Sequence, residues 1–139
     1  MSGTTISSNV EMGDFLSQTI SLSQELLADI LYQIQTISAF TPEKEFHWNR
    51  EVSQLTSDIG QFVELTTLLS KVIMKRKNQS LPAIKNSHIH LLFVLKGMNQ
   101  AQQKLDLVAL EELIKYELKD NLTQWKIDLI PQTKRLLNT

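Results

Sequence analysis

The sequence predicts an all-α protein, an antiparallel up-down-up-down four-helix bundle in a single domain. Its 139 residues include only 4 Gly and 3 Pro, too few for the many turns of a β-sandwich or β-barrel. Apolar residues recur at alternating spacings of four and three, as in helices that bury one face. Short connections favour antiparallel neighbours. We therefore expect a loose tail at residues 1–8, a bundle domain at 9–130 and a C-terminal tail at 131–139.

The first predicted helix covers residues 9–39. Ser8 and Glu11 have the spacing of a capping box, in which the two side chains bond free backbone N–H groups where a helix starts. One polar residue interrupts the predicted buried face, which consists of Leu16, Ile20, Ser23, Leu27, Ile30, Ile34 and Ile37.

The second predicted helix covers residues 42–77 and has the clearest start signal. Thr41 can cap it, Pro42 suits the first helical position, and Glu43 places a negative charge near the positive end of the helix dipole. Its predicted buried face consists of Trp48, Val52, Leu55, Ile59, Phe62, Thr66, Leu69 and Ile73. This heptad spacing continues without interruption and predicts a bundle-type helix crossing.

The third and fourth helices are predicted at residues 82–104 and 106–130. Pro82 follows a polar turn, Asp106 can cap the fourth helix, and Pro131 is expected to end or kink it. The predicted buried face of the third helix is Ile84, His88, Leu91, Leu95, Met98, Gln102 and Leu105. That of the fourth helix is Leu107, Leu110, Ile114, Leu118 and Trp125.

The heptad assignment and the up-down order make specific predictions about burial and placement. We expect nearly complete burial of Leu55, Ile59, Phe62, Leu95 and Leu118. Antiparallel neighbours aligned about their turns place Trp48 near Leu105 and Trp125 near Ile84. The two indoles should therefore not touch.

Polar residues on the predicted buried faces suggest a polar cluster between the last two helices. Antiparallel packing about the turn at residues 105–106 brings His88 level with Asn121, and Glu117 lies one turn away on the same side. Because buried polar groups require hydrogen bonds, we expect His88 to bond to Asn121 or Glu117. The alternatives are that His88 reaches water at the edge of the core, or that the three residues line a small ligand pocket.

The sequence offers no catalytic, metal or cofactor site. It has no Cys, which excludes disulfides and thiolate chemistry. Glu43, His47 and Glu51 share one helix face, but a single cluster cannot form a two-metal cage, and we interpret it as a solvent-facing ladder. His88 and His90 are two residues apart, too far around a helix to chelate one ion. We therefore predict a protein that is not an enzyme.

The charge balance argues against nucleic acid and membrane partners. Fourteen Lys and Arg face 15 Asp and Glu, and no apolar run is long enough to span a bilayer. We expect a soluble, cytoplasmic protein. Cations concentrate at the connection between the second and third helices, where they can offset a helix dipole or bind an acidic partner segment: Lys71, Lys75, Arg76, Lys77 and Lys85.

The five residues from Phe93 to Gly97 resemble the His-x-Leu-Lys-Gly signature of histidine phosphotransfer domains, which are also four-helix bundles. Phe93 occupies the position that is phosphorylated in that signature, and His90 is about 300° away around the helix. The resemblance implies a degenerate signalling bundle without the phosphate-accepting histidine.

A second resemblance involves Asp106, Tyr116-Glu117-Leu118 and Trp125, which look like an uncharacterised family of small bacterial helical-bundle proteins without assigned chemistry. In size and pattern the chain is also similar to bacterial flagellar and secretion export chaperones. We therefore expect a non-enzymatic protein-interaction module, an export chaperone or adaptor that binds an amphipathic helix of a client. The alternatives are the degenerate phosphotransfer-like bundle and a structural protein that forms homo-oligomers through the second helix.

Overall fold

The computed structural model describes the backbone of residues 2–38, 45–79 and 81–137, and the side chains of residues 13–37, 50–79 and 81–137. The described chain is all-α and contains four helices. They are α1 (Ser2–Ser38), α2 (Glu45–Lys77), α3 (Pro82–Gln103) and α4 (residues 107–137). No strand is present in these ranges. The predicted fold class is confirmed at this level.

Helix α1 begins seven residues earlier than the capping-box pattern predicts. The backbone is already helical at Ser2 and continues through Ser8 and Glu11, so residues 2–8 belong to the helix and are not a tail. Residues 2–12 contain one Gly and no Pro, and nothing in them forces the helix to stop. The predicted buried face of α1 is confirmed from Leu16 to Ile37.

Helix α2 buries the predicted heptad face along its described side chains. The residues of this face between Val52 and Ile73 are each at most 5% exposed. The start signal Thr41-Pro42-Glu43 and the side chain of Trp48, on which the predicted separation of the two indoles depends, lie outside the described residues. The heptad face is therefore buried against the other helices of the same chain.

The connection between α3 and α4 has a left-handed backbone at Leu105 (φ 54°). The N–H of Leu105 bonds to the carbonyl of Gln102 at 3.1 Å and the N–H of Asp106 bonds to the carbonyl of Ala101 at 2.8 Å, a Schellman ending. The Asp106 carboxylate then accepts a bond from the N–H of Ala109 at 3.1 Å. Asp106 therefore caps α4 as predicted, while Leu105 adopts a conformation that favours Gly.

Helix α4 alternates α-helical and π-helical turns. Its α-helical segments are Leu107–Glu112, Lys119–Gln124 and Ile130–Leu137, and its π-helical segments are Leu113–Leu118 and Trp125–Leu129. Buried residues recur every four positions at Leu110, Ile114, Leu118 and Leu122. A four-residue repeat drifts by about 40° per step around a regular α-helix. Wider π turns reduce this drift and keep one face toward the core.

Of the two outcomes predicted for Pro131, an end of the helix or a kink, the first does not occur. The helix continues to Leu137, so residues 131–137 are not a tail. Pro lacks an N–H and its ring collides with the carbonyl four residues earlier in a regular helix. The π-helical turn Trp125–Leu129 immediately before it widens the helix at the point where that collision would occur.

Helix α3 has the predicted bounds within one residue, but its buried face is rotated. Val94 is fully buried, whereas Leu95 is only partly buried, contrary to the prediction. The side of α3 that holds Val94, together with Ser87 and Gly97, therefore faces α4. A Cβ atom added at Gly97 would lie 3.2 Å from the Cδ1 of Leu113, so the two helices approach closely here.

The four helices enclose one core. Helix α1 packs against α2 and α4, and α3 packs against α2 and α4. Trp125 and Phe62 are the largest fully buried side chains, and their rings meet edge to face at 5.2 Å. Within the described ranges, no helix combines the length and apolarity needed to cross a bilayer.

Candidate functional site

His88 links α3 to α2 through a side-chain hydrogen bond. Its Nε2 lies 2.7 Å from Oγ1 of Thr66. The Thr66 hydroxyl donates its proton to the carbonyl of Phe62 at 2.9 Å, so toward the imidazole it acts as an acceptor. This arrangement fits the His88 tautomer that has its proton on Nε2, which would then donate to Thr66.

The surroundings of His88 favour its neutral form. The imidazole is half-buried and lies against the indole of Trp125, with ring centroids 5.2 Å apart and an angle of 30° between the planes. Burial lowers the pKa of His88, because the charged form loses water contacts. A neutral imidazole that donates to a hydroxyl acts as a positioning contact between helices.

Asn121 is the buried polar contact between α3 and α4. Its Nδ2 donates to the carbonyl of Ser87 at 3.2 Å and lies 3.0 Å from Nδ1 of His90. Its Oδ1 accepts from the Ser87 hydroxyl at 3.4 Å. The side chain thus uses both ends of its amide to fix the position of α3 against α4.

The expected hydrogen bond from His88 to Asn121 or Glu117 is replaced by two separate contacts. His88 bonds to α2, while Asn121 bonds to the residues on either side of His88. Glu117 is exposed. The structure therefore brings His88 and Asn121 to the same level, as expected, but does not join the three residues into one cluster.

The outer surface of α3 carries a contiguous apolar stripe, which we define as Ile89, Leu92 and Phe93. These side chains are 57%, 54% and 71% exposed. Their i, i+3, i+4 spacing places them on one helix face. Among the described residues, only α3 presents three large exposed apolar side chains with this spacing. Lys96 is exposed on the next turn. Sequence reasoning missed the stripe because it assigned apolar residues to the core.

The predicted cationic residues lie near the end of the bundle where α2 finishes and α3 begins. Lys71, Lys75, Arg76 and Lys85 are exposed, and Lys77 is half-buried. Three of them occupy the last turn of α2, where positive charge is favourable. The surface is accessible to an acidic partner.

The described residues contain no cluster of three or more His, Cys, Asp or Glu that could hold a metal ion. Of the predicted solvent-facing ladder, Glu51 is half-buried, while the side chains of Glu43 and His47 lie outside the described residues. No protein-family model, curated protein or solved structure matches the chain. The contacts and exposed surfaces are therefore the basis for a functional proposal.

Proposed function

We propose that the protein is a non-enzymatic interaction module that binds an amphipathic helix of a protein partner on the apolar stripe of α3. The observation that carries this proposal is the exposure of Ile89, Leu92 and Phe93 on one helix face. Contiguous apolar surface is costly in water and is typical of interaction sites. A helix that pairs with α3 would cover these side chains with its own apolar face.

The charges beside the stripe favour a partner helix with acidic flanks. Lys85 lies four residues before Ile89, and Lys96 lies three residues after Phe93, so both cations are one turn from the stripe. Acidic residues at matching positions would fix the register of the partner helix. An export chaperone or adaptor of the bacterial cytoplasm that holds a client helix has this chemistry.

We infer that the helices are connected in up-down-up-down order. Pairs of contacting residues support antiparallel neighbours. The Gln33 amide donates to the Asp58 carboxylate at 2.7 Å between α1 and α2. Between α3 and α4, Gly97 lies beside Leu113, while Asn121 bonds further toward the start of α3. In this order α3 has helix neighbours on its inner side, and its outer side can accept a partner.

The interaction is tested with a synthetic helical peptide that has Leu at i, i+3, i+4 and i+7 and Glu on the flanks. A peptide of the same composition, shuffled to spread the Leu residues, is the control ligand. We expect the variant Ile89→Gln/Leu92→Gln/Phe93→Gln to weaken binding by about tenfold or more in a fluorescence anisotropy titration. Its circular dichroism should be unchanged, because the three side chains are exposed.

The matched control variant is Ile127→Gln, since Ile127 is 67% exposed on α4 and not part of the stripe. It should bind as the unaltered protein does. Equal binding of both peptides, or equal binding by the triple variant, would contradict the proposal. A dimer in sedimentation experiments that the triple variant abolishes would assign the stripe to a homo-oligomer instead.

A second candidate function is the degenerate phosphotransfer-like signalling bundle. The exposed Phe93 occupies the position of the phosphorylated histidine, Lys96 is exposed, and Gly97 packs closely against α4. In this case the partner would be a response regulator, bound without phosphate transfer. Incubation with phosphorylated regulators should leave no acid-labile phosphate on the protein. Phosphate on His88 or His90 would contradict both candidates.

A further inference from the structure

The end of the bundle where α2 and α4 finish is strongly cationic, although the whole chain has a net charge of −1. Half of the chain's Lys and Arg residues lie in the last two turns of α2, the first turn of α3 and the last two turns of α4: Lys71, Lys75, Arg76, Lys77, Lys85, Lys134 and Arg135. These turns contain no acidic residue, and Asp14 of α1, next to Gly13 in the lining of the cleft described below, is an acidic residue at the same end. The helix dipole accounts for cations at the ends of α2 and α4, but it disfavours Lys85 at the start of α3.

A cleft opens in this cationic surface, with a volume of about 390 Å³. Arg76 of α2 and Lys134 of α4 line it together with polar groups of α1, which are Ser17, Ser21 and Gln24. Neither cation forms an ion pair within the described part of the chain. Two cations and two hydroxyls that face a common space can bind the oxygens of a phosphate group.

Apolar side chains line the rest of the cleft, namely Leu16, Ile20 and Leu137. The volume lies in the range of small-molecule sites, which combine an apolar wall with a few polar groups that orient the ligand. Among the residues whose side chains are described, no aromatic group lines the cleft, whereas single-stranded nucleic acid sites use aromatic groups to stack bases. The lining therefore suits a compact ligand with one anionic and one apolar part.

We propose that this cleft is a binding site for a small organic phosphate. The phosphate contacts Arg76, Lys134 and the hydroxyls of Ser17 and Ser21, and the apolar part of the ligand lies against Leu16 and Leu137. This site is separate from the apolar stripe of α3, so one ligand could be bound while the partner helix is held elsewhere.

The test uses phenyl phosphate, inorganic phosphate and benzyl alcohol as probes in separate NMR titrations of the full chain. We expect saturable binding of phenyl phosphate, weaker binding of inorganic phosphate and no binding of benzyl alcohol. The shifts should concentrate at residues 17–24, 76 and 134. Arg76→Gln and Lys134→Gln should each weaken phenyl phosphate binding by about tenfold, as expected for loss of a charge-assisted bond.

Lys119→Gln removes another exposed cation, from the middle of α4, and is the matched control. It should change the affinity by less than about twofold. An equal loss in Lys119→Gln would reduce the effect to general charge attraction and overturn the site. Phenyl phosphate binding that does not saturate, with the protein still folded, would also overturn the site. So would binding of a polyglutamate peptide when neither phenyl phosphate nor inorganic phosphate binds. The last result would assign the surface to an acidic protein segment.

A second inference rests on Trp125. Its side chain is 1% exposed and its Nε1 has no hydrogen-bond partner among the described residues. The indole lines a cavity of about 10 Å³ together with the hydroxyl residues Ser23, Thr66 and Thr133. This volume is close to the minimum that holds one water molecule.

The three hydroxyls leave acceptor capacity toward this cavity. Ser23 donates to the carbonyl of Thr19, Thr66 to that of Phe62 and Thr133 to that of Leu129, each four residues earlier on its own helix. We infer that one internal water accepts the proton of Trp125 and donates to two of these hydroxyls, thereby connecting α4 with α1 or α2.

This inference is tested by water-to-protein NOE transfer at the indole N–H of Trp125. A cross-peak from a long-lived water is expected, and Thr133→Val should weaken it. Thr123→Val, a half-buried site on α4 that does not line the cavity, is the control and should leave it unchanged. A protected indole proton without any water cross-peak would overturn the inference.

Discussion

Helices α1 and α2 meet through apolar side chains at regular heptad spacings, whereas α3 and α4 meet through a buried amide and wide helical turns. In the first pair the hydrogen bond from Gln33 to Asp58 lies at the periphery of an apolar contact. In the second pair Asn121 is buried and makes three hydrogen bonds to α3. Apolar contacts supply most of the free energy of folding, while buried hydrogen bonds fix one relative position of two helices.

The largest effect on the free energy of unfolding is expected in the regular pair, α1 and α2. Ile59 is fully buried, so Ile59→Ala should lower the free energy of unfolding by about 2 to 5 kcal/mol, through lost burial and a cavity. Leu95→Ala on α3 should cost less than about 2 kcal/mol, because Leu95 is only partly buried. Urea unfolding of both variants measures the difference. Equal losses would mean that Leu95 belongs to the core after all.

The same comparison explains which parts of the fold could be predicted from the sequence. An uninterrupted heptad leaves one way to bury α2, and its buried face was predicted correctly from Val52 to Ile73. Helix α3 has apolar residues at both 94 and 95, so periodicity alone does not choose between them. Burial of Val94 accompanies the close approach of Gly97 to Leu113, a tertiary contact that no local pattern contains.

The sequence predicts the height along the bundle at which His88 and Asn121 lie, but it does not predict which residues they bond to. Counting residues about the turn at 105–106 correctly places Asn121 beside the segment that holds His88. The partner of His88 depends on the rotation of α3, which turns this imidazole toward Thr66 of α2. The continuation of α4 past Pro131 also depends on the π turn before it, and the sequence patterns do not predict a π turn.

A medium effect is expected at the buried amide. Asn121→Ala removes the hydrogen bonds of Asn121 to the Ser87 carbonyl, the Ser87 hydroxyl and His90, and each such bond contributes about 0.5 to 1.5 kcal/mol, so stability should fall by about 1 to 3 kcal/mol. The control Asn99→Ala removes an exposed amide from α3 and should change stability by less than about 0.5 kcal/mol. Both are measured by urea unfolding. If the two variants unfold at the same denaturant concentration, Asn121 does not hold α3 and α4 together.

A smaller effect on stability is expected at the glycines of the two helix pairs, Gly60 on α2 and Gly97 on α3. Gly60 on α2 has no atom within 4 Å of an added Cβ, so Gly60→Ala should raise stability by about 0.5 to 1 kcal/mol through higher helix propensity. Gly97→Ala should gain less or lose stability, because its Cβ would approach Leu113 to 3.2 Å. Thermal unfolding of both variants is the measurement. A larger gain at Gly97 would show that α3 and α4 are not closely packed there.

The smallest expected effect is a pH dependence that arises from the contact between α3 and α2. Burial lowers the pKa of His88 in the folded protein, while in the unfolded chain the imidazole titrates near 6.5. The unfolded state therefore binds more protons between the two pKa values. The His88 contribution to stability is complete above about pH 6.5 and is lost as the pH falls toward the lower, folded pKa.

The variant His88→Gln isolates this contribution. A glutamine amide can still donate to the hydroxyl of Thr66 but does not titrate. Urea midpoints of the unaltered protein should fall on acidification from about pH 7.5 to about pH 5 more than those of His88→Gln. Equal falls of the urea midpoint in the two proteins would mean that the contact of His88 with Thr66 does not carry this pH dependence.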